Sequence, residues 1–435
     1  PAGMPFWHKS DIYTEKLEGL MNIIGIIAEY NPFHNGHAYQ IACAKKQFGA
    51  DAVVVVMSGD FTQRGIPAVF HKESRANMAL SCGADLVIEL PVLASTASAE
   101  GFALGAVRAL DSLGVVNQLL FGCETDQIEL FYRSASLLGD ESEDFRFRLR
   151  SHIRSGNSYP QARAAAFPKE IPSGFLDTPN NILGVEYVKA LLRLSSPMVP
   201  VCLRRRGSQH HDQSPSGNFL SAGALRQKIE NLPKNAESFS ALHPYLPEGA
   251  YEICHQEWAE GKCVFADDFS LLLHDRLYET NDFTGYADCS ESLSAKICRL
   301  RDRYVSFSQF CQLLKSKDLT YTRVSRVLCH ILLRVYRKDF QRFMSLPRTP
   351  YIRILGFNRQ GASILSEIKN AGKQRTVPLF VSPKEGERLL SSEQLPFLAA
   401  DIAAADRYRM VLTAKTGRAY PSEYTRKFEP FPEKK

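Results

Sequence analysis

Short apolar runs alternate with helical segments between residues 21 and 125, and this alternation leaves the chain few possible folds. The runs IIGIIAE, DAVVVVMSG, ADLVIELP and NQLLFG are continuous and are bounded by polar residues or glycine. Such runs are typical of strands that are buried on both faces of a parallel sheet. The segments between them, GHAYQIACAKKQF, HKESRANMALSCG and SAEGFALGAVRALDSLG, have helical character. The pattern predicts an α/β fold with a doubly wound, Rossmann-like parallel sheet.

The length of the chain predicts more than one domain, because 435 residues exceed what one ordinary hydrophobic core accommodates. A strand expected in MVPVCLRR and a helix after it extend the first domain over residues 21–234. Residues 235–348 predict a mainly helical domain, and residues 349–420 predict a small α/β unit with strands in YIRILGFN and TVPLFVSP. Residues 1–20 are expected to be an N-terminal extension or a tag remnant, and residues 421–435 a disordered tail.

Composition and charge favour a cytoplasmic protein with a polyanionic partner. No apolar run approaches the ~18 residues of a membrane helix, and the first twenty residues lack a secretory signal. The 10 cysteines form no C-x-x-C pair, which disfavours a zinc site and fits thiols in a reducing compartment. The net charge is +6, but residues 291–350 alone hold 13 Lys/Arg against 4 Asp/Glu. This local excess of positive charge indicates a polyanion.

The loop AEYNPFHNGHAY, residues 28–39, follows the first predicted strand and shows the strongest sign of a ligand site. Ligands of doubly wound sheets bind where strands end and loops enter helices. A helix that starts near Gly36 would point free N–H groups and a positive dipole end at this loop, which favours phosphate. There, His34 and His37 could donate hydrogen bonds to a phosphate whose charge grows during transfer. An isolated H-x-x-H is more often structural, but the strand–turn–helix setting favours a catalytic pair.

The segment His34-Asn35-Gly36-His37 resembles the HxGH signature of the nucleotidylyltransferase superfamily. The longer string GIIAEYNPFHNGHAY resembles the bacterial tRNA(Met) cytidine acetate ligase family, as do SGDFTQRGIPAVFHKESRANMAL, GADLVIELP, LLFGCET, PNNILGVEYVKAL and YIRILGFN. The resemblance implies that ATP activates acetate as acetyl-adenylate and that pyrophosphate is released. The acetyl group then passes to N4 of the wobble cytidine of elongator tRNA(Met), and AMP leaves. Neither a membrane nor DNA is expected as a partner, and the oligomeric state stays open.

The resemblance also implies which residues contact ATP, with His34 and His37 as the catalytic pair on its phosphates. The ATP-binding set comprises Ile27, Ala28, Glu29, Tyr30, Asn31, Pro32, Phe33, His34, Asn35, Gly36, His37, Ala38, Tyr39, Gln40, Gly122, Asn180 and Arg205. A slip of one residue would select Asn181 instead of Asn180. The choice of Arg205 over Arg204 or Arg206 is open too, because HHD at residues 210–212 stands where the family has Tyr-His-Asp.

Other residues are candidates for holding phosphate or carboxylate groups. SAGALR, residues 221–226, is expected at a helix N-terminus, where Ser221 and Arg226 could bind the β- and γ-phosphates. Arg64 and Lys72 could hold acetate or the triphosphate, although surface ion pairs are nearly as good an explanation. Mg²⁺ is expected with the triphosphate, but no carboxylate cluster in the sequence identifies its ligands.

An amphipathic helix predicted over residues 319–340 is the candidate tRNA-binding element. Its apolar stripe comprises Val324, Val327, Leu328, Ile331, Leu332 and Val335. An adjacent polar stripe comprises Arg323, Arg326, His330, Arg334 and Arg337, of which the four arginines are the predicted tRNA contacts. Such a stripe is often only a solvated face, but the local excess of positive charge and the family's substrate favour RNA.

Two other functions remain possible from the sequence. A small-molecule adenylyltransferase of the same superfamily would need the same histidine pair, although it would not need a basic helical domain. A non-catalytic RNA-binding protein that senses ATP would need the pocket but not both histidines. Release of pyrophosphate without tRNA on adding a small phosphate substrate would favour the first, and failure to form acetyl-AMP would favour the second.

Overall fold

The described part of the chain is built around one seven-stranded sheet. The computed structural model describes residues 21–139, 143–156, 162, 165–166, 171–172, 174–205, 218–233, 238–370, 377–426, 428 and 431. The strands are β1 (Ile23–Ala28), β2 (Ala52–Ser58), β3 (Leu86–Leu90), β4 (Gln118–Cys123), β5 (Val199–Arg204), β6 (Ile352–Phe357) and β7 (Leu379–Phe380). Their order is β5-β4-β1-β2-β3-β6-β7, and every neighbouring pair is parallel except β3 and β6. The predicted doubly wound parallel sheet is confirmed.

Helices flank the sheet and also form the region between β5 and β6. They are α1 (Asn35–Lys46), α2 (Lys72–Ser81), α3 (Val92–Ser95), α4 (Ala99–Asp111), α5 (Ile128–Gly139), α6 (Glu143–Arg154), α7 (Pro179–Leu194), α8 (Ala222–Asn231), α9 (Glu248–Ala259), α10 (Ser270–Tyr278), α11 (Glu291–Leu300), α12 (Phe307–Leu314), α13 (Tyr321–Leu333), α14 (Arg337–Ser345), α15 (Arg359–Asn370), α16 (Pro383–Leu389) and α17 (Leu395–Thr416). Short 3₁₀ helices span Ser238–Tyr245, Ala266–Phe269 and Arg301–Arg303. Among the described residues, no helix is both long and apolar enough to cross a membrane.

Alternate residues of β2 enter two separate apolar clusters, one on each face of the sheet. Val54 and Val56 belong to one cluster, whereas Val53, Val55 and Met57 belong to the other. Because successive side chains of a strand point to opposite faces, a strand covered on both sides must be apolar at every position. This explains the continuous apolar run DAVVVVMSG.

The residues expected to form a small C-terminal α/β unit add their strands to the same sheet. β6 lies antiparallel to β3, with Ile354 opposite Ile88, and β7 lies parallel to β6 at the outer edge. In the described part of the chain, these strands therefore extend the first sheet and do not form one of their own. An apolar run reveals that a strand is buried, but it does not reveal which strand lies beside it.

The amphipathic segment at residues 319–340 forms two helices and not one. α13 ends at Leu333, and Arg334 then adopts a left-handed conformation with φ of 59° before α14 begins at Arg337. The predicted apolar stripe is buried, as expected. The prediction that His330 belongs to the polar stripe is wrong, because this residue is fully buried. Its two ring nitrogens each lie 3.0 Å from a backbone oxygen, one of Ala287 and the other of Thr96.

The predicted disordered tail is wrong for residues 421–426, because Glu423 is inserted into the core. Its carboxylate is 2% exposed and lies 3.4 Å from Lys72 Nζ and 2.6 Å from Arg409 Nη2, and it also pairs with Arg353. Burial alone would raise the pKa of Glu423, but these three cations together lower it below its usual value. The sequence around Glu423 is polar and resembles an exposed tail, so only the buried cations reveal its role.

Replacing Glu423 with Gln is expected to destabilise the protein strongly. The substitution removes the counterion that three buried cations share and leaves Glu89 as the remaining partner of Lys72 and Arg353. The expected cost therefore approaches that of a fully broken buried pair, which is about 3–5 kcal/mol. Urea unfolding measures the effect. Glu393→Gln changes an exposed residue in the same way and is the matched control. Equal unfolding midpoints for the two variants would contradict a structural role for Glu423.

Candidate active site

A cavity opens at the carboxyl edge of the sheet, where β1 separates β2 from β4. Because the chain leaves β1 toward β2 on one side and adds β4 and β5 on the other, the strand order reverses at this point. Crevices at such reversals are where doubly wound sheets bind ligands. The cavity has a volume of about 440 Å³, within the usual range of small-molecule sites.

Residues from seven parts of the chain line the cavity. They are Ile27, Ala28, Glu29, Tyr30, Asn31, His34, Gly36, His37, Tyr39, Gln40, Gln63, Arg64, Ala99, Phe102, Phe121, Gly122, Pro179, Asn180, Ile182, Leu183, Tyr187, Leu203, Arg205, Phe219, Leu220, Ser221, Ala222, Gly223 and Arg226. The predicted ATP segment, the predicted phosphate motif and the single predicted residues Gly122, Asn180 and Arg205 therefore meet in one place.

Hydrogen bonds to the backbone fix the rings of His34 and His37 at the start of α1. His34 is the N-cap, and its Nδ1 accepts a hydrogen bond of 3.0 Å from Gly36 N–H. The Nδ1 of His37 accepts one of 3.2 Å from His34 N–H, which completes a capping box with imidazoles in both positions. The two rings are stacked, with centroids 3.8 Å apart.

Both imidazoles are neutral, and their tautomers follow from these bonds. Burial, with help from Arg205 and Arg226, lowers the pKa of His34 to about 3. Burial and the neighbouring His34 likewise place the pKa of His37 well below its usual value. Because each Nδ1 accepts a hydrogen bond and is therefore unprotonated, the single N–H of each neutral ring lies on Nε2. The pair therefore presents two N–H donors to the cavity.

Two cationic groups stand near the histidines. Arg226, on α8, donates a hydrogen bond of 2.6 Å from Nη1 to the backbone oxygen of Asn31. Ser221 caps α8 by accepting a bond of 3.2 Å from Ala224 N–H, so the N-terminus of this helix opens on the cavity. Arg205 follows β5, with its N–H bonded to Cys123 O. Neutral donors, cations and a helix N-terminus together form a site for a phosphorylated ligand.

Comparison with known proteins identifies the family. A model of the HIGH Nucleotidyl Transferase family matches residues 21–422. A protein of Acetivibrio thermocellus described as tRNA(Met) cytidine acetate ligase is 36% identical over 415 residues, which cover 93% of this chain and 99% of that protein. A Clostridium novyi protein with the same description is 36% identical over 83% of this chain and 90% of its own length. The chain belongs to the tRNA(Met) cytidine acetate ligase family.

Solved structures agree with this membership. A crystal structure of Thermotoga maritima TmcAL described as bound with alpha-thio ATP is 30% identical, with a TM-score of 0.81. The similarity covers 91% of this chain and 96% of that one. An apo crystal form gives a TM-score of 0.83 at 31% identity. As a member of the tRNA(Met) cytidine acetate ligase family, the chain is an enzyme.

The two asparagines that the family resemblance leaves open as alternatives lie in different surroundings. Asn180 lies on the cavity wall, with its Nδ2 2.6 Å from Glu124 Oε1. Asn181 is turned into the protein, where it accepts from Glu124 N–H and donates to Phe175 O. Neither is the N-cap of α7, because that position belongs to Thr178.

At the arginine cluster, Arg205 is the residue on the cavity wall, and Arg204 ends β5 in an exposed position. Arg206 and residues 210–212 lie outside the described residues. Gly122 lies close to Arg205, since a Cβ on this glycine would come within 3.4 Å of Arg205 Cγ. A side chain at Gly122 would therefore narrow the cavity beside Arg205.

Several predicted contacts are not on the wall of this cavity. Pro32 and Phe33 are buried, and Asn35 ties α1 to later loops by donating to the backbone oxygens of Asn218 and Pro244. Ala38 packs against an apolar cluster. Lys72 is fully buried and pairs with Glu89 at 2.7 Å, which makes it structural, whereas Arg64 lines the cavity.

The predicted tRNA contacts do not form one continuous stripe. Arg323 is exposed, but Arg326 is partly buried with its Nε 3.6 Å from the Asp288 carboxylate. Arg334 pairs with Glu279 at 2.9 Å, and Arg337 donates to the backbone oxygens of Thr284 and Cys289. Arg326, Arg334 and Arg337 therefore also make contacts that stabilise the helical region.

Sequence reasoning missed Gln63, Ala99, Phe102, Leu183 and Tyr187 on the wall. Two of them could be found from Asn180, because Leu183 and Tyr187 follow it by three and seven residues, on one helix face. Ala99 and Phe102 lie in a segment that resembles an ordinary core helix, so no local signal separates them from their neighbours.

The buried histidine pair predicts a loss of stability in acid. In the native state the pKa of His34 is about 3, whereas its ordinary value is 6.5. Between these values the unfolded chain binds more protons, so the free energy of unfolding decreases as the pH falls, by up to ~1.4 kcal/mol per pH unit for this residue. His34→Asn keeps an oxygen that can accept from Gly36 N–H, removes the titrating ring and should weaken this dependence. Urea unfolding between about pH 4 and pH 7 measures it.

The matched control is His243→Asn, which makes the same change at a half-exposed histidine outside the cavity wall. If the pH dependence of unfolding is the same in His34→Asn and in the unmodified protein, His34 is not held neutral by burial.

Proposed function

We propose that the protein activates acetate with ATP and acetylates N4 of the wobble cytidine of elongator tRNA(Met). In the first step an acetate oxygen forms a bond to the α-phosphorus, the bond from that phosphorus to the bridging oxygen breaks, and pyrophosphate leaves. In the second step N4 attacks the acetyl carbon, the bond to the phosphate oxygen breaks, AMP leaves and N4 loses a proton. The observation that carries the proposal is the pair of Nε2–H donors beside Arg205, Arg226 and the N-terminus of α8.

The ligand of the first step is inferred to be ATP. The related Thermotoga maritima structure is described as bound with alpha-thio ATP, and this chain shares its fold over 91% of its length. The residues predicted for ATP and present on the wall lie around β1, β4 and β5, so the nucleotide is proposed to cross the carboxyl ends of these strands.

His34 and His37 are proposed to stabilise negative charge on the α-phosphate. Their donors are fixed before the substrate arrives, because each Nδ1 is already bonded to the backbone. Preorganised donors that face a developing charge need no rearrangement during the reaction. Arg205, Arg226 and Ser221 are proposed to bind the same phosphates or the leaving pyrophosphate.

Mg²⁺ is proposed to enter with the triphosphate. Glu29 is the one carboxylate on the described part of the cavity wall, and its Oε1 already accepts a bond of 2.8 Å from Gln63 N–H. Mg²⁺ commonly uses one or two carboxylates together with substrate phosphates, so this donor set fits the ion. Bound there, the ion would neutralise phosphate charge, and Glu29 would orient it.

The tRNA is proposed to approach over α13. Gly65, two residues beyond Gln63, touches this helix so closely that a Cβ would come within 2.5 Å of Arg326 N. Ser325 Oγ donates a bond of 3.0 Å to Gly65 O, and His330 contacts Thr96 O near the start of α4. The exposed Arg323 thus lies two residues before Ser325, which contacts Gly65 next to the wall residues Gln63 and Arg64. A cytoplasmic location remains a prediction.

Two substitutions at His34 separate its structural role from its chemical role. His34→Asn keeps the acceptor for the helix cap but removes the Nε2–H donor, so acetate-dependent exchange of pyrophosphate into ATP should fall about 10²–10³-fold. His34→Gln places an amide N–H near the position of Nε2 but loses the cap, so it should cost about 1 kcal/mol of stability and retain more exchange. Exchange rates and urea unfolding of both variants measure the difference.

The reverse order of exchange activity, with His34→Asn the more active variant, would contradict a donor role for His34. The order of stability is an independent control, since it depends on the cap alone.

Arg323→Glu is expected to impair tRNA acetylation and to leave acetate-dependent pyrophosphate exchange unchanged, because the side chain is exposed and is not on the cavity wall. Arg388→Glu, on the exposed surface of α16, is the matched control. Mass spectrometry of tRNA(Met) after incubation with ATP and labelled acetate measures transfer. Equal loss of exchange and transfer would mean that Arg323 is structural.

A further inference from the structure

The cavity extends beyond the strands to which the nucleotide is assigned. β4 and β5 lie on one side of β1, and β2 and β3 lie on the other. Gln63 and Arg64 follow β2, whereas Ala99 and Phe102 belong to α4, which follows β3. None of these four residues is used by the nucleotide as proposed above. This part of the wall, called the β2–β3 side, is open to a second substrate.

Tyr187, on α7, brings an unpartnered hydroxyl to the same cavity. The residue is only 6% exposed and lies on the cavity wall, yet among the described residues its hydroxyl has no hydrogen-bond partner. Its ring contacts Phe121 at a centroid distance of 5.9 Å. Burial, followed by the nearby Glu29, raises the pKa of Tyr187, which keeps the hydroxyl protonated as a donor. The hydroxyl is therefore free to donate a hydrogen bond to a ligand in the cavity.

The helix that carries Tyr187 packs against α4. Lys189, two residues after Tyr187, bonds to Glu100 at 3.0 Å and so holds α7 against the start of α4. Ser98 caps α4 by accepting from Gly101 N–H, and Ala99 is the first residue of the helix. The positive end of the α4 dipole and the tyrosine hydroxyl therefore both lie on the cavity wall, and both favour a carboxylate.

The neighbouring wall is apolar and leaves little room. Phe102 and Phe121 are buried, and Ala99 adds only a methyl group. Glu29 contributes one negative charge, but Arg64, Arg205 and Arg226 contribute three positive charges to the described wall. The site therefore suits an anion that carries a very short hydrocarbon group.

We propose that the β2–β3 side is the subsite for a short monocarboxylate, in which Tyr187 donates to the carboxylate and Ala99 and Phe102 limit the chain length. This inference rests on the proposed function, because it assigns the acyl substrate of that reaction to residues of this chain. The carboxylate lies between the tyrosine hydroxyl and the nucleotide, and its hydrocarbon end contacts α4.

Tyr187→Phe tests the donor. The substitution keeps the ring and removes the hydroxyl, so the KM for acetate in pyrophosphate exchange should rise about tenfold or more, while the KM for ATP stays unchanged. Tyr132→Phe, at a partly exposed tyrosine on α5, is the matched control and should change neither constant. An equal rise in both KM values after Tyr187→Phe, or no rise in either, would overturn the assignment.

A pair of substitutions at Ala99 tests the limit on chain length. Ala99→Gly enlarges the subsite and should raise kcat/KM for propionate relative to acetate, whereas Ala99→Val fills it and should lower kcat/KM for acetate. Both changes lie at the first position of α4, where neither replacement removes the Ser98 cap. Unchanged ratios in both variants would overturn the role of Ala99 in selecting the acyl group.

Direct binding distinguishes failure of the subsite from failure of the proposed function. Saturation-transfer NMR detects the acetate methyl group on the full protein with a non-hydrolysable ATP analogue, without any reaction. Acetate binding that is lost in Tyr187→Phe supports the subsite even if no pyrophosphate exchange occurs, in which case only the proposed function fails. Absence of acetate binding to the unmodified protein, or equal binding to both proteins, overturns the subsite even if exchange occurs.

Discussion

The reciprocal hydrogen bonds between two imidazoles and the first turn of α1 determine the chemistry of the site. A helix start leaves backbone N–H groups without partners, and here His34 and His37 accept two of them through Nδ1. The same bonds fix the tautomer of each ring, orient its Nε2–H and favour the neutral form. A structural requirement of the helix thus produces a pair of oriented donors that need no further residue to hold them.

The position of the histidine pair depends on the carboxyl edge of the sheet, where hydrogen bonds from Arg75 join the ends of two strands. Arg75, buried on α2, donates to Glu29 O at the end of β1, to Ser58 O and Gly59 O at the end of β2, and to Phe70 O. The guanidinium therefore joins two strand ends and the loop between β2 and α2. The loop that carries the histidines leaves the sheet from a fixed point, which explains why a surface cavity can present donors with defined positions.

Much of this could be predicted from the sequence. Continuous apolar runs identified the strands because both sheet faces are covered, and the loop after the first strand carried a recognisable pattern. The sequence could not distinguish Asn180 from Asn181, because the difference lies in which side of a helix faces the cavity. Tyr187 could be reached only through Asn180, seven residues earlier on the same helix face, because an isolated tyrosine in a helix is usually part of a core.

The remaining errors have one physical cause, which is that the local pattern does not show what approaches from elsewhere in the chain. His330 resembles part of a solvated stripe until the carbonyls of Ala287 and Thr96 surround it. Glu423 lies in a polar C-terminal segment, yet three buried cations bring it into the core. Both positions are decided by partners that are distant in sequence.

The tautomeric state of the two histidines tests the central claim most directly. In long-range ¹H–¹⁵N correlation spectra of protein with ¹⁵N-labelled histidine, both rings should be neutral at pH 7, with the proton on Nε2 and an unprotonated Nδ1. Addition of a non-hydrolysable ATP analogue should then shift both Nε2 resonances. A proton on Nδ1, or a doubly protonated ring in the unliganded protein, would contradict the account, because the backbone bonds that fix the pair could not then exist.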